Sequence, residues 1–508
     1  MYNWLAEDLE DGALVVTANR RLANVLSDHY AQLQVQAGSK AWPSPAIRSW
    51  PDWLREMLAA ADISQSLPAR LSSHQSRVLW ERCLRQQISS PLLNIGAVVG
   101  QARDAWQLIH DYCVSLDDVE RAARGRDQGI FVRAARTFEA GLAAEDWIDD
   151  AGATRLVTQL VKSGATHVPA KLMLAGFDRQ TPATKRLLDA LRDKGCQVGA
   201  VATLKGPARR AMSSFEDSGA ELRAAGAWAR DLLTENPEHT VAIVAMNLER
   251  DAERCARLVR EGLAPGWQLG GHRYRMAVNV SYGQRLGGFP MIATALLALR
   301  WLHEDIKSVE LSRLLRSDSL GKGEGGDRSR MELELRRWPE MQWSPERASR
   351  VLCREEHAGS EWTRMLEALE AMRADKPGSQ SPSGWAMHFH EVLQALNWPG
   401  DSSLDSVEFQ LHNRWRELLN ELARLDLVIA SLSLGEALVR LRVLAGETIF
   451  QPENREGLVQ LLGPLEAAGM EFDHLLVCGL SNANWPPPGR PAALLSRELQ
   501  REYSMPDS

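Results

Sequence analysis

Gly321-Lys322 is the single Gly-Lys pair of the sequence. A loop that cradles a nucleoside triphosphate has the form G-x-x-x-x-G-K-[ST], with backbone amides and the lysine on the phosphates and a hydroxyl on magnesium. Here Arg316 stands where the first glycine belongs and Gly323 where the hydroxyl belongs, and no strand leads into the stretch, so the pair reads as linker. ATP hydrolysis also takes an apolar strand ending in two adjacent carboxylates, one for magnesium and one for the attacking water. The candidate strand LMLAGF (172–177) runs into Asp178-Arg179, and one carboxylate followed by a cation cannot do both jobs. His388 and His390 in HFHE (388–391) are two apart and fall on different sides of a helix, unlike two ligands of one metal. No G-x-S-x-G elbow, paired carboxylates or nuclease-type Asp and Glu-x-Lys set stands out. No catalytic residue, metal or cofactor is assigned on these grounds.

Binding is a different matter. Asn19, Arg20 and Arg21 open a helix directly after a buried strand, and amides and cations at a helix N-terminus suit the phosphates of a nucleic-acid backbone. An ordinary solvated helix start is the competing reading of the same three residues.

The elements that must position these residues follow from composition and periodicity. At 508 residues, 44% hydrophobic and 25% charged, the chain has the make-up of a soluble globular protein of three or four compact units. The net charge of -7 gives no overall attraction to nucleic acid or anionic membrane, so any DNA-binding surface must be local. Six cysteines lie far apart, which fits a reduced, cytoplasmic setting. The first residues, MYNWLAEDLEDG, lack the basic flank and apolar core of a secretory signal, and the apolar run MIATALLALRWL (291–302) is too short to span a bilayer. The 17 tryptophans sit mostly at helical spacing beside Leu and Ala, as core anchors rather than platforms for bases.

Strand and helix signals alternate at GALVVTANRRLANVLSDHYAQL (12–33), at KLMLAGF through CQVGAVATL (171–204), and at AELRAAGAWARDLLTEN through LERDAERCARLVREGL (220–263). Helical periodicity alone fills the spans between. The fold expected is helix-rich α/β, with two RecA-like parallel-sheet cores, each interrupted by a helical insertion. The first core takes 1–50 and 166–208 around an insertion at 51–165, and the second takes 209–290 and 446–508 around an insertion at 291–445.

The stretch GLVQLLGPLEAAGMEFDHLLVCGL (457–480) reads as strand, turn and strand, with both strands apolar on both faces and therefore central in a parallel sheet. It resembles the superfamily 1 DNA helicase segment T-x-H-x-[SA]-K-G-L-E-F-D. Gly469, Glu471, Phe472 and Asp473 match its end, while Gly463, Leu465 and Ala468 stand where Thr, His and Lys belong. With VVTANRRLANVL (15–26), DWIDDAGATRLV (146–157), LAGFDRQTPATKRLLDAL (174–191) at a degenerate magnesium motif that includes Asp178, and GLSNANWPPPGRPAALLS (479–496), the chain resembles the AddB-like (RexB-like) subunits of bacterial helicase–nuclease complexes, in the branch whose motor core is degenerate.

The resemblance implies a non-motor scaffold in double-strand-break processing that binds single-stranded or double-strand-end DNA and a partner helicase–nuclease subunit of the AddA type. Such proteins continue into a PD-(D/E)xK nuclease domain. The sequence stops without one, which gives the expectation of an incomplete second core with an exposed apolar edge beyond residue 480. Two other readings stay open: an active helicase or nuclease subunit, and a structural interaction protein without a DNA role.

Overall fold

Four short parallel strands, of which Leu14–Thr17 and Lys171–Ala175 are the apolar, buried pair, set up the first sheet. The computed structural model describes residues 2, 4–61, 67–88, 94–201, 208–269, 277–321, 325–338, 341–352, 361–400, 403–451 and 458–508. Strands β1 (Leu14–Thr17), β2 (Ile47–Ser49), β5 (Lys171–Ala175) and β6 (Gln197–Ala200) pair in the order β2-β1-β5-β6, all parallel. Helix α1 (Trp4–Glu10) precedes β1, α2 (Arg20–Gln36) crosses from β1 to β2, and α9 (Pro182–Asp193) crosses from β5 to β6. Thr181 caps α9 and Pro182 fills its first position, where a missing N–H costs nothing.

Between β2 and β5 the chain is helical: α3 (Trp50–Ala59), α4 (Ser73–Gln87), α5 (Ile95–Asp111), α6 (Leu116–Ala122), α7 (Arg126–Ala144) and α8 (Asp150–Ser163). A two-residue parallel pairing of β3 (Ala69–Arg70) with β4 (Trp147–Ile148) ties its ends together. Trp53, Leu54 and Met57 of α3 and Val157 and Val161 of α8 share a core with Val16, Leu172 and Leu174 of the first sheet. These two helices therefore cover the sheet. The block that stands on its own core is α4 to α7, where the stacked rings of Trp80 and Phe138 lie 4.5 Å apart.

The second sheet repeats the plan. Strands β7 (Val241–Ala245), β8 (Val278–Val280), β13 (Val459–Leu462) and β14 (His474–Cys478) pair in the order β14-β7-β13-β8, again all parallel, with α10 (Ser218–Glu235) and α11 (Leu248–Leu263) packed against it. Every residue of β7 is buried, as a strand covered on both faces requires. Gly226 and Gly262 let α10 and α11 touch: a Cβ on Gly226 would lie 2.1 Å from the Val259 carbonyl oxygen.

Two expectations need correction here. The strand His474–Cys478 is not central; it stands at the end of the sheet order, paired with β7, and Leu475 is 53% exposed. The central places go to β7 and β13: β13 is paired on its two sides by β7 and β8, so β14 takes the outer side of β7. The chain after residue 480 also leaves this sheet: Leu494, Leu495, Leu499 and Met505 enter the core of the α4–α7 block, with α12 (Arg497–Glu502) beside α6. Gln500, fully buried, fixes that segment by accepting from the Ala492 N–H and donating to the Ala492 and Leu495 carbonyls, each at 3.0 Å.

The chain forms two compact units, one of Met1–Tyr282 with Asn454–Ser508, which holds both parallel sheets, and one of Gly283–Glu453. The described residues of the second unit are mainly helical, with two-residue pairings of β9 (Gln284–Arg285) with β12 (Ile449–Phe450) and of β10 (Ile306–Lys307) with β11 (Gln342–Trp343), and a single bridge between Gln380 and Leu432. Three of its tryptophans are core anchors with satisfied indoles: Trp301 donates to the Trp343 carbonyl at 2.7 Å, Trp343 to Ser308 Oγ at 2.8 Å, and Trp385 to the Leu432 carbonyl at 2.7 Å. No helix among the described residues is long and apolar enough to cross a membrane.

Candidate nucleic-acid interface

The C-terminal end of β1 is where a nucleotide-binding core would place its phosphate loop. Here the connection from Thr17 to α2 is two residues long and saturated internally. Thr17 Oγ1 donates to the Asn19 carbonyl at 2.7 Å, the Ala18 N–H to the Ala175 carbonyl at 3.0 Å, and the Leu22 N–H to Asn19 Oδ1 at 2.8 Å. Asn19 is thus the N-cap of α2, and its side chain occupies the amide that an anion would seek. Short, polar and self-bonded, this turn has none of the slack of a glycine loop.

Arg20 and Arg21, adjacent in sequence, point to different places. Arg20 is 67% exposed and grips Asp52 at the start of α3 with two bonds, Nε to Oδ2 at 3.1 Å and Nη2 to Oδ1 at 2.9 Å. Asp52 also accepts from Ser49 Oγ at 2.5 Å and pairs with Arg55. Arg48 pairs with Glu56, and Arg70 donates twice to Asp150 Oδ1, at 3.1 and 2.5 Å. Burial, then the guanidiniums of Arg20 and Arg70, lower the pKa of Arg55, so these charges feel one another. Four arginines here face three carboxylates, a local cation excess on an acidic protein.

Arg21 turns inward. Its Nη2 donates to Gln460 Oε1 on β13 at 2.5 Å, its Nε has no acceptor among the described residues, and burial lowers its pKa against the opposing pull of Glu466. The first sheet meets the second at this point. Gly176, just past β5, and Gly469, before β14, both have positive φ, and the Leu22 side chain wedges against the two of them.

The residues that match the helicase motif are placed as structure. Glu471 accepts from the Tyr2 N–H at 3.1 Å and its own N–H donates to the Tyr2 hydroxyl at 2.8 Å; burial pushes the Tyr2 phenol up to about 12. Phe472 packs against Ala242, Val244 and Leu462. Asp473 Oδ2 accepts from the N–H and the hydroxyl of Thr240, both at 2.8 Å, at the start of β7. Burial raises its pKa, but those bonds and the nearby His239 and His474 hold it below the usual carboxylate range. Asp178 is exposed, with no hydrogen bond or ion pair among the described residues.

Of the predicted site residues, Arg21, Gly469 and Glu471 come together at the seam between the sheets, Asn19 and Arg20 stand at the start of α2 beside it, and Asp473 ties the start of β14 to the start of β7. Sequence reasoning missed Tyr2, Asp52, Arg55, Arg70, Gly176 and Gln460; Asp52 reaches Ser49 and Arg55 three residues away, but the bonds of Asp52 to Arg20, Arg70 to Asp150, Gln460 to Arg21 and Tyr2 to Glu471 span 32 to 469 residues.

The remaining candidates sit elsewhere. Lys322 and Gly323 lie outside the described residues. His388 is partly buried edge-on to Trp385, with burial lowering its pKa, whereas His390 is exposed. Among the described residues no group of three His, Cys, Asp or Glu side chains is placed to hold a metal ion. No protein-family model and no curated protein matches this chain.

Proposed function

We propose that this chain is a non-motor, helicase-like subunit of a DNA-repair assembly, built on two RecA-like cores. It holds single-stranded DNA, or the end of a double strand, together with a partner helicase–nuclease subunit. The observation that carries this reading is the seam at Gly176, Gly469, Leu22, Arg21 and Gln460. A motor opens and closes such a seam around a nucleotide. Here side chains and backbone fill it, and the helix start that would face phosphates is capped by Asn19. The arginines on the outer face, Arg20, Arg48, Arg55 and Arg70, supply the cations a nucleic-acid backbone needs.

Two measurements test it. Titration with ATP and magnesium is expected to give no micromolar binding, and DNA-stimulated phosphate release would overturn the non-motor reading. Binding of labelled oligothymidine is expected to weaken with salt, and the double variant Arg20→Ala, Arg55→Ala to reduce the slope of log K against log salt by about 1.4, from roughly 0.7 per phosphate contact on a single strand. An unchanged slope removes this face from the interface.

A further inference from the structure

Among the carboxylates on the arginine face, Asp52 gathers the most donors. Its Oδ2 accepts from Arg20 Nε at 3.1 Å and from Ser49 Oγ at 2.5 Å, while its Oδ1 accepts from Arg20 Nη2 at 2.9 Å and meets Arg55 Nη2. Ser49 is the N-cap of α3, yet its hydroxyl is turned to Asp52 and makes no side-chain bond to a helix amide. A guanidinium fork, a second guanidinium, a hydroxyl and a helix N-terminus thus converge on one anion, and the same donor set suits a phosphate. The arrangement is open to solvent: the side chains of Arg20, Arg55 and Asp52 are 67%, 45% and 28% exposed. Arg48 and Arg70 each have a carboxylate of their own, Glu56 and Asp150, so Asp52 is the group that restrains two of the four cations.

We propose that Asp52 is a built-in competitor of the strand: it holds Arg20 and Arg55 in the free protein, and the phosphates of a bound strand take them over. This role rests on the strand-holding function proposed above and adds a restraint on it. Exposed ion pairs are weak, so the exchange is within reach of a phosphate, and the flexible arginine stems can follow it without a change of fold. The restraint is nevertheless felt, because a carboxylate tethered beside the arginines competes at a high effective concentration whatever the solution contains. In the parent chain the strand therefore binds more weakly than the four arginines alone would allow.

The test is a double-mutant cycle on the full chain, read as the affinity for labelled oligothymidine at one low salt concentration. It crosses Asp52→Asn with the pair Arg20→Ala, Arg55→Ala, in which Arg48 and Arg70 remain to hold the strand. Asparagine removes the charge but keeps an acceptor for Ser49 Oγ, and Asp52→Ser repeats the measurement with a second neutral acceptor. Melting temperatures confirm that each variant is folded. In the parent chain Asp52→Asn is expected to tighten binding about fivefold, the scale of one exposed ion pair at the strong end of its range. Where Arg20 and Arg55 are absent, the same substitution is expected to give no gain. An equal gain in both backgrounds overturns the proposal, since Asp52 would then act by plain repulsion of the strand. No gain in the parent chain overturns it as well, while strand binding itself still stands. If neither the parent chain nor any variant binds the strand, the strand-holding function falls and the competitor falls with it.

Discussion

Gly176 and Gly469 meet backbone to backbone at the junction of the two sheets: a methyl group on Gly469 would stand 3.0 Å from Gly176 Cα and 2.9 Å from a Leu22 methyl. Both glycines have positive φ, 74° and 78°. Gly469→Ala therefore adds a steric clash to the backbone strain. Gly12, at φ 73° with nothing within 4 Å of a built Cβ, isolates the strain alone. We expect Gly12→Ala to cost about 1 kcal/mol and Gly469→Ala about 3 kcal/mol or more in the first urea transition. Equal costs would mean that the seam yields freely.

Tyr2 supplies a pH-dependent contribution. Its phenol, pushed up to about 12, sits above the ordinary value of 10.0, so the folded state holds the proton more tightly. The sign follows: the stabilisation is fully present below about pH 10 and is lost as the pH rises through about 12, amounting to roughly 2 kcal/mol. Comparing urea midpoints at pH 9 and above pH 11 should show this loss in the parent chain and its absence in Tyr2→Phe. Tyr2→Phe should also lower stability at pH 7 by about 1 kcal/mol, since the Glu471 N–H loses its acceptor.

The divergent roles of two neighbouring arginines can be separated. Arg20→Ala is expected to weaken single-strand binding several-fold with stability changed by less than about 0.5 kcal/mol, as exposed ion pairs contribute little. Arg21→Ala is expected to leave affinity within twofold and to lower stability by about 1–3 kcal/mol, because Gln460 loses its donor and a buried stem is removed. The reverse pattern would put Arg21, not Arg20, on the strand.

The segment 494–505 should behave as part of the α4–α7 block. Leu499→Ala is expected to destabilise that block by about 2–5 kcal/mol, from the cavity left beside a well-packed core. Hydrogen-exchange mass spectrometry reads the location: amides of α4 to α7 should lose protection together with 497–502, and those of β7 and β13 should not. Loss of protection in the second sheet instead would return the segment there.

Much of the layout was legible in the sequence. The alternation of apolar strand and amphipathic helix at 12–33, 171–204 and 220–263, with the apolar runs at 457–480, marked β1, β5, β6, β7, β13 and β14, because burial periodicity is a local property of a chain, whereas the three-residue strands β2 and β8 carried no such signal. Asn19 as a helix start and the glycines around 469 were visible for the same reason, since capping and positive φ are set by a residue and its nearest neighbours.

Strand order, and what each charged side chain touches, were decided only in three dimensions. An apolar strand such as 474–478 reads the same at the edge or the centre of a sheet, and its place follows from which neighbours are already paired, β13 having β7 and β8 on its two sides. Whether Arg20 faces solvent and Arg21 faces Gln460 depends on a partner 439 residues away for the latter, beyond any local pattern. The same holds for the last helix, whose leucines are apolar in sequence but acquire a destination only when Trp80, Trp106 and Phe138 of a distant segment present a core to bury them. The sequence determined the elements because their causes are short-range; the tertiary structure decided the seam and the arginine face because each is a meeting of residues that the chain keeps far apart.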